Sequence, residues 1–264
     1  MKAKTRNHFS DIADVWNNKT WVKSDEFSNE IINFASFNRN DVLLYLGIGT
    51  EDLAKKLPVK TVCGIDLSAK MLSKCKNIPR HNLIVGSAEK TPYLDETFNV
   101  TMSRNLLKHC EAPEKVLKEM YRVLKPGGKV FIIESCVLVE EDKDPPNFCV
   151  RTVEPYHPSF QTHNEILSLI TSTGFNLYKH KVYTFRSRWL TNWIKASKAS
   201  DKIHNMVLDF YKEAHKGFIK RQDVRFIDND IESNIFWSLI MAEKQKHVKY
   251  KSLNIIDDDM LSPV

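Results

Sequence analysis

Apolar positions along the first third of the chain follow two periods. Between Thr5 and about Asn18, Phe9, Ile12, Ala13 and Trp16 fall at i, i+3, i+4 and i+7, which places them on one face of a helix. Phe27, Ile31, Phe34 and Ala35 predict a second helix over 25–37. Apolar runs then alternate with helical patterns. "DVLLYLG" reads as a strand buried on both faces, and "EDLAKKL" as a short helix stopped near Pro58. "KTVCGIDLS" is a second strand ending at Asp66, and Ser68 caps the helix "SAKMLSKCK". "HNLIVGSAE" and "FNVTMSRN" supply a third and a fourth strand. "APEKVLKEMYRVLKPGG" is an amphipathic helix ended by Pro126-Gly127-Gly128, and "KVFIIESCVL" is a fifth strand.

Continuous apolar strands separated by helices predict a doubly wound α/β domain with a parallel sheet covered on both faces. Such a sheet places its ligands beyond the carboxyl ends of the strands. The pattern changes at Glu140. The stretch from there to His163 is rich in proline and charge and reads as one long loop of the lid type. "HNEILSLITSTGF" predicts a helix closed by Gly174, and "NLYKHKVYTFR" alternates as a strand. The segment from Ser187 to Phe218 predicts two helices, and "SNIFWSLIMAEK" a final strand. These elements divide a single domain over 1–264 into N-terminal lid helices (1–38), a core (41–139), a substrate loop and cap with a returning strand (140–232), the last strand (233–244) and a polar tail (245–264).

Composition narrows the class. The chain has 264 residues, 42% hydrophobic and 27% charged, as in an ordinary globular protein with a sizeable core. No apolar run approaches the roughly 20 residues of a membrane helix, and the N-terminus lacks an apolar signal core. Cys63, Cys75, Cys110, Cys136 and Cys149 are dispersed, which argues against a disulfide framework and a structural zinc site and makes a reducing cytoplasm the default. No metal is expected. The formal charge of +6 suits either an acidic ligand or a solvated lysine-rich surface. It does not define the oligomeric state.

Four features gather at one sheet edge. Gly47-x-Gly49 follows the first strand, and Asp66 ends the second at close to the spacing of a ribose-binding acid. A turn with Ser87, Ala88 and Glu89 follows the third, and "SRNLLKHC" follows the fourth. Glycines admit a ligand where a Cβ would clash, and helix-start N–H groups favour anions. By itself this set fits a nucleotide-binding dehydrogenase as well as a methyltransferase.

"VLLYLGIGTEDLAKKL", "VCGIDLSAKML", "GSAEKTPYLDETFNV" and "SRNLLKHCEAPEKVLKEMYRVLKPGGKVFIIE" together resemble the class I S-adenosylmethionine-dependent methyltransferases. The nearest branch is that of the ubiquinone/menaquinone-biosynthesis and other small-molecule enzymes. The resemblance covers roughly 41–134 and extends weakly to "FSDIADVW", similar to a lid helix, and to "LSLITSTGF". It implies a mostly parallel, seven-stranded Rossmann-like sheet with a reversed last strand, and S-adenosyl-L-methionine as cofactor. Gly47 and Gly49 would flank its methionine end, Asp66 the ribose, and Leu67, Ser87 and Ala88 the adenine. Arg104 and Asn105 would line the side where the methyl group meets the acceptor. The chain departs from the pattern at Tyr45, where an acid is usual, at Glu51, where a glycine is usual, and at Ser87, where Asp is frequent. Glu51 either replaces the lost charge or is a solvated first-turn acid.

The expected reaction is in-line methyl displacement to a small organic molecule, with a general base needed for a hydroxyl or acidic carbon. His109 is a candidate base, set against packing at the start of the next helix. His157, His163 and Tyr156 are candidates in the long loop. Phe9, Trp16 and Trp21 read equally as core and as lid, and no partner that would activate Cys110 is evident. "RSRWLTNWIKASKAS" reads as a cap helix in preference to an RNA clamp, so nucleic acid is not the expected partner. Alternative readings are a degenerate, non-catalytic binding protein with this fold, an RNA methyltransferase, or another reaction of the same cofactor.

Overall fold

The computed structural model describes residues 2–50, 52–75, 80–155, 157 and 159–246. Three helices open the chain: α1 (Lys2–Ile12), α2 (Thr20–Lys23) and α3 (Asp25–Ala35). They are followed by β1 (Val42–Leu46), β2 (Thr61–Asp66), α4 (Ala69–Leu72), β3 (His81–Val85) and β4 (Phe98–Arg104). Next come α5 (Pro113–Val123), β5 (Leu124–Cys136), α6 (Asp144–Arg151), α7 (His163–Thr171) and β6 (Asn176–Arg188). The chain continues through α8 (Leu190–Ala196), α9 (Asp201–Lys212), α10 (Lys216–Gln222), β7 (Arg225–Ile227) and β8 (Asp230–Glu243).

Among the described residues, eight strands join one sheet in the order β3-β2-β1-β4-β5-β8-β6, with β7 paired to β8 beside that path. The strands from β3 to β5 run parallel, and β8 is antiparallel to β5, β6 and β7. The strand order reverses between β1 and β4, so the crevice beyond their carboxyl ends is the topological switch point.

Strand periodicity divides β1 between two cores. Leu44 and Leu46 pack with Val116, Leu117 and Met120 of α5 and with Ile166 and Ile170 of α7. Leu43 and Tyr45 pack on the opposite face with Phe27, Ile31 and Phe34 of α3. A third cluster joins Cys149 of α6, Leu190 and Ile194 of α8, Val207, Leu208 and Tyr211 of α9, and Phe218 of α10. This cap lies against the sheet through β8 and is fastened by the Arg221 guanidinium. Its Nε and Nη2 donate to the two oxygens of the fully buried Asp142, at 2.9 and 2.6 Å. The edge strand β6 keeps Lys179 and Lys181 at the surface, a pattern that discourages further strand pairing.

The structure departs from the sequence reading at several elements. The helix predicted from Thr5 to Asn18 stops at Ile12, and a 3-10 turn (Trp16–Asn18) follows it. Asp14 turns outward there to pair with Lys70 and Lys74 of the helix α4 region. Among the described residues, "EDLAKKL" holds only a 3-10 turn, Ala54–Lys56. The long loop contains α6, which starts with Pro145 and Pro146 in its first turn, where proline suits a helix. The cap segment holds three helices instead of two, because Ser200 and His215 each cap a new start. The short β7 brings the sheet to eight strands where seven were expected. Helix α5 ends at Val123, ahead of Pro126.

Candidate functional site

The turn after β1 is shaped by two glycines in the left-handed region, Gly47 at φ +68° and Gly49 at φ +62°. A Cβ on Gly47 would sit 2.9 Å from Leu106 Cδ1. Gly49 faces open space, its nearest neighbour for a Cβ being Trp16 Nε1 at 4.0 Å. Asp66 closes this turn from the end of β2. Its Oδ2 accepts from Gly49 N at 2.9 Å and its Oδ1 from Ser68 N at 2.9 Å. Burial raises the Asp66 carboxyl above its ordinary pKa, and the two N–H groups oppose that rise.

A cavity of about 90 Å³ opens over this turn. Gly47, Gly49, Asp66, Leu67, Ser87, Ala88, Arg104 and Asn105 all line it, together with Phe9 and Trp16 of the N-terminal segment. The strand ends therefore bring the cofactor residues of the sequence reading to one surface, with the exception of Glu51, which lies outside the described residues. Three contacts hold α1 and the 3-10 turn after it over the cavity. Ser10 Oγ meets Ser68 Oγ at 2.8 Å, Thr50 Oγ1 donates to Asn17 Oδ1 at 2.5 Å, and Lys2 pairs with Glu89 at 2.7 Å. The loop that carries Ser87 and Ala88 is anchored from α5. Thr91 N and Oγ1 donate to Glu119 Oε1, both at 2.7 Å, and Arg122 pairs with Glu119 and Asp95.

Tyr45 does not line the cavity. It is 1% exposed within the α3-side core, and burial raises its hydroxyl pKa while the neighbouring Arg104 opposes the rise. The position where an acid was expected is thus occupied by a core side chain that faces Arg104.

A second cavity, of about 170 Å³, lies between the sheet and the cap. Trp21, Val150, Phe160, Trp189, Trp193, Tyr211, Phe236 and Trp237 make most of its wall apolar. Phe9, Asn105 and His109 line both cavities, so the two meet at these side chains. Asn105 sits at φ +58°, a conformation Asn adopts more readily than most residues, and its Oδ1 accepts from Ser135 Oγ at 3.0 Å.

His109 ends the 3-10 turn Leu107–His109. Its Nδ1 lies 3.1 Å from Glu154 Oε1, and its ring packs edge-on against Phe9 with centroids 5.1 Å apart. Burial lowers the His109 pKa, with Glu154 pulling the other way, so the ring is neutral at physiological pH. Burial also opposes the charge on Glu154, but the hydrogen bond and charges of the surrounding histidines hold its carboxyl down to about 2. Glu134 secures the turn from below. Its Oε1 accepts from Leu106 N at 2.7 Å and from Leu107 N at 2.8 Å.

The other histidines are placed differently. His157 is 2% exposed, lies edge-on behind His109 at 5.3 Å between centroids, and lines neither cavity; burial pushes its pKa down to about 3. His163 bonds Ser238 and His180 and lies away from both cavities. Tyr156 lies outside the described residues. Cys110 lines the glycine-turn cavity, but burial pushes its thiol up to about 12. The sequence reading missed Glu154, Lys19 and Lys108, all of which line the larger cavity. Asn105 and the adjacent Lys108-His109 pair were local signs of polar chemistry at that wall.

Residues 44–132 match the family model described as a methyltransferase domain. The chain is 38% identical over 103 residues to demethylmenaquinone methyltransferase of Chlorobaculum parvum, a match that covers 38% of this chain and 43% of that protein. The chain thus spans less than half the length of that curated relative. Among solved structures, the YcgJ protein of Bacillus subtilis superposes with a TM-score of 0.75 at 17% identity, over 83% of this chain and 98% of that one. Phosphoethanolamine N-methyltransferase 2 of Haemonchus contortus, in complex with S-adenosylhomocysteine, superposes with a TM-score of 0.58 at 18% identity, over 92% and 61%. These likenesses establish the Rossmann-like methyltransferase fold.

Proposed function

We propose that this chain, whose residues 44–132 carry a methyltransferase domain, is an S-adenosylmethionine-dependent methyltransferase of the ubiquinone/menaquinone-biosynthesis-like branch, acting on a small organic molecule. One observation carries the reading. A glycine-framed cavity over Asp66 meets a larger apolar cavity at Phe9, Asn105 and His109. Two ligands held in them would face each other across that junction. The residues present fit the cofactor, because Gly49 leaves unfilled the space a Cβ would take and Asp66 offers a half-buried carboxylate to a ribose.

S-adenosylmethionine, when bound, supplies a methyl group already activated for transfer. The protein's share of the work is alignment and exclusion of water. Gly47, Gly49 and Asp66 would hold the donor, with Leu67, Ser87 and Ala88 beside its adenine. Helix α1 and Trp16 cover the cavity against solvent. His109, donating from Nδ1 to Glu154, keeps its lone pair on Nε2 and is the group placed to accept a proton from an acceptor hydroxyl or acidic carbon. The aromatic wall of the larger cavity supports an apolar or aromatic acceptor. The five free cysteines support a cytoplasmic setting.

The test is calorimetric titration of the purified protein with S-adenosylmethionine and S-adenosylhomocysteine. Micromolar binding of both supports the proposal. Absence of binding at millimolar ligand would withdraw the activity while leaving the fold unchanged.

A further inference from the structure

The larger cavity is apolar over most of its wall, yet two lysine side chains line it. Lys19 Nζ lies 4.0 Å from the centroid of the Trp16 ring. Lys108 Nζ donates to Ser135 Oγ at 2.6 Å and lies 4.5 Å from the centroid of the Phe160 ring. Both side chains line the cavity. Among the described residues, neither ammonium has a carboxylate within ion-pair distance. The two nearby acids are engaged otherwise, Glu154 with His109 and Glu134 with the N–H groups of Leu106 and Leu107. Lysines elsewhere in the chain do find acids, as Lys2 does with Glu89 and Lys143 with Glu165.

Aromatic faces partly compensate a desolvated ammonium, but two like charges beside one apolar space remain costly until an anion joins them. We propose that the acceptor molecule carries a carboxylate, bound between Lys19 and Lys108, with its apolar body against Trp189, Trp193 and Tyr211. This rests on the methyltransferase reading and defines the substrate class of the same site as an amphipathic, apolar or aromatic carboxylic acid.

Charge and geometry favour a carboxylate over a phosphate. The cavity wall carries two lysines and one carboxylate, that of Glu154, which leaves a surplus of one positive charge when both lysines are protonated. That surplus matches a monoanion. No arginine lines the cavity among the described residues, so the fork that grips phosphate in two places is missing. Burial, reinforced by the charge of Lys108, brings Lys19 down to about 7. Burial brings Lys108 down to about 8 against the pull of Glu134 and Glu154. A bound anion would restore both.

The test uses the full chain with S-adenosylhomocysteine present, and isosteric probes that differ in charge. 2-Naphthylacetate, its neutral amide and 2-naphthyl phosphate are titrated at pH 7 by calorimetry. The acid is expected to bind about ten-fold or more tighter than the amide. Lys19→Met and Lys108→Met should each remove most of that preference while amide affinity stays within about two-fold. Equal binding of acid and amide by the unmodified protein would overturn the proposal, and so would the absence of binding by any probe. Phosphate bound in preference to carboxylate would overturn the assignment of the anion. An acid preference that survives in both variants would overturn the roles of the lysines. The S-adenosylhomocysteine titration in the same samples reports on the methyltransferase reading separately, since the cofactor cavity does not include either lysine.

Discussion

His109 Nδ1 lies 3.1 Å from Glu154 Oε1, which joins the turn after β4 to the segment that follows α6. The pair fixes the histidine tautomer at the point where the two cavities meet. Removing the charge in Glu154→Gln leaves burial unopposed, so the His109 pKa should fall further below its ordinary value. NMR titration of the labelled imidazole measures this. A rise, or no change, would show that Glu154 does not govern the ring. Once an acceptor is in hand, His109→Gln should lower turnover by about 100-fold if the ring takes a proton, with S-adenosylhomocysteine affinity changed only a few-fold.

Asp66 already accepts two backbone N–H groups at the mouth of the cofactor cavity. Hydrogen bonds to a charged group contribute about 1.5–3 kcal/mol each. Asp66→Ala should therefore weaken both S-adenosylmethionine and S-adenosylhomocysteine by about 10- to 100-fold. Asp66→Asn keeps an acceptor and should lose less. Calorimetry reads both variants, and unchanged affinity in the alanine variant would remove Asp66 from the ribose site.

Glu134 is 2% exposed, and burial raises its carboxyl from 4.5 to about 7 in spite of Lys108. The folded protein then binds this proton more tightly than the unfolded chain. The contribution of Glu134 to stability is fully present below pH 4.5 and is lost as pH rises through about 7. Glu134→Gln removes that dependence. Compared with the parent, the variant should gain stability progressively between pH 4.5 and 8, by about 3 kcal/mol in all. Urea denaturation across this range gives the difference directly, and a flat difference would contradict the burial argument.

Gly47 and Gly49 share the left-handed backbone but differ in surroundings. An added Cβ costs about 1–2 kcal/mol at either position through its backbone conformation alone. At Gly47 it also meets Leu106 Cδ1 at 2.9 Å, whereas at Gly49 it meets nothing closer than 4.0 Å. Gly47→Ala should therefore be the more destabilising in denaturation, and Gly49→Ala should act mainly on cofactor affinity. The reverse order would mean that the turn relaxes around residue 47.

The alternation of buried strands and amphipathic helices from Asp41 to Glu134 was legible in the sequence because a parallel sheet covered on both faces requires unbroken apolar strands. The same order of elements determined that Gly47, Gly49, Asp66, Ser87 and Asn105 would share a sheet edge, since parallel strands all end on one side. Local chemistry was less legible where it depends on distant partners. Helix α1 stops at Ile12, after which Asp14 pairs with Lys70 and Lys74, and α6 forms inside a proline-rich stretch, with Cys149 packed against the cap. Tyr45 in place of an acid drew attention to the cofactor turn, yet its meaning depends on which core receives it. Glu154, Lys19 and Lys108 lie far apart in sequence and carry no periodic signal. Only the folding of the cap over the sheet places them around one cavity, because burial, ion pairing and pKa are properties of the space that side chains share and not of their order in the chain.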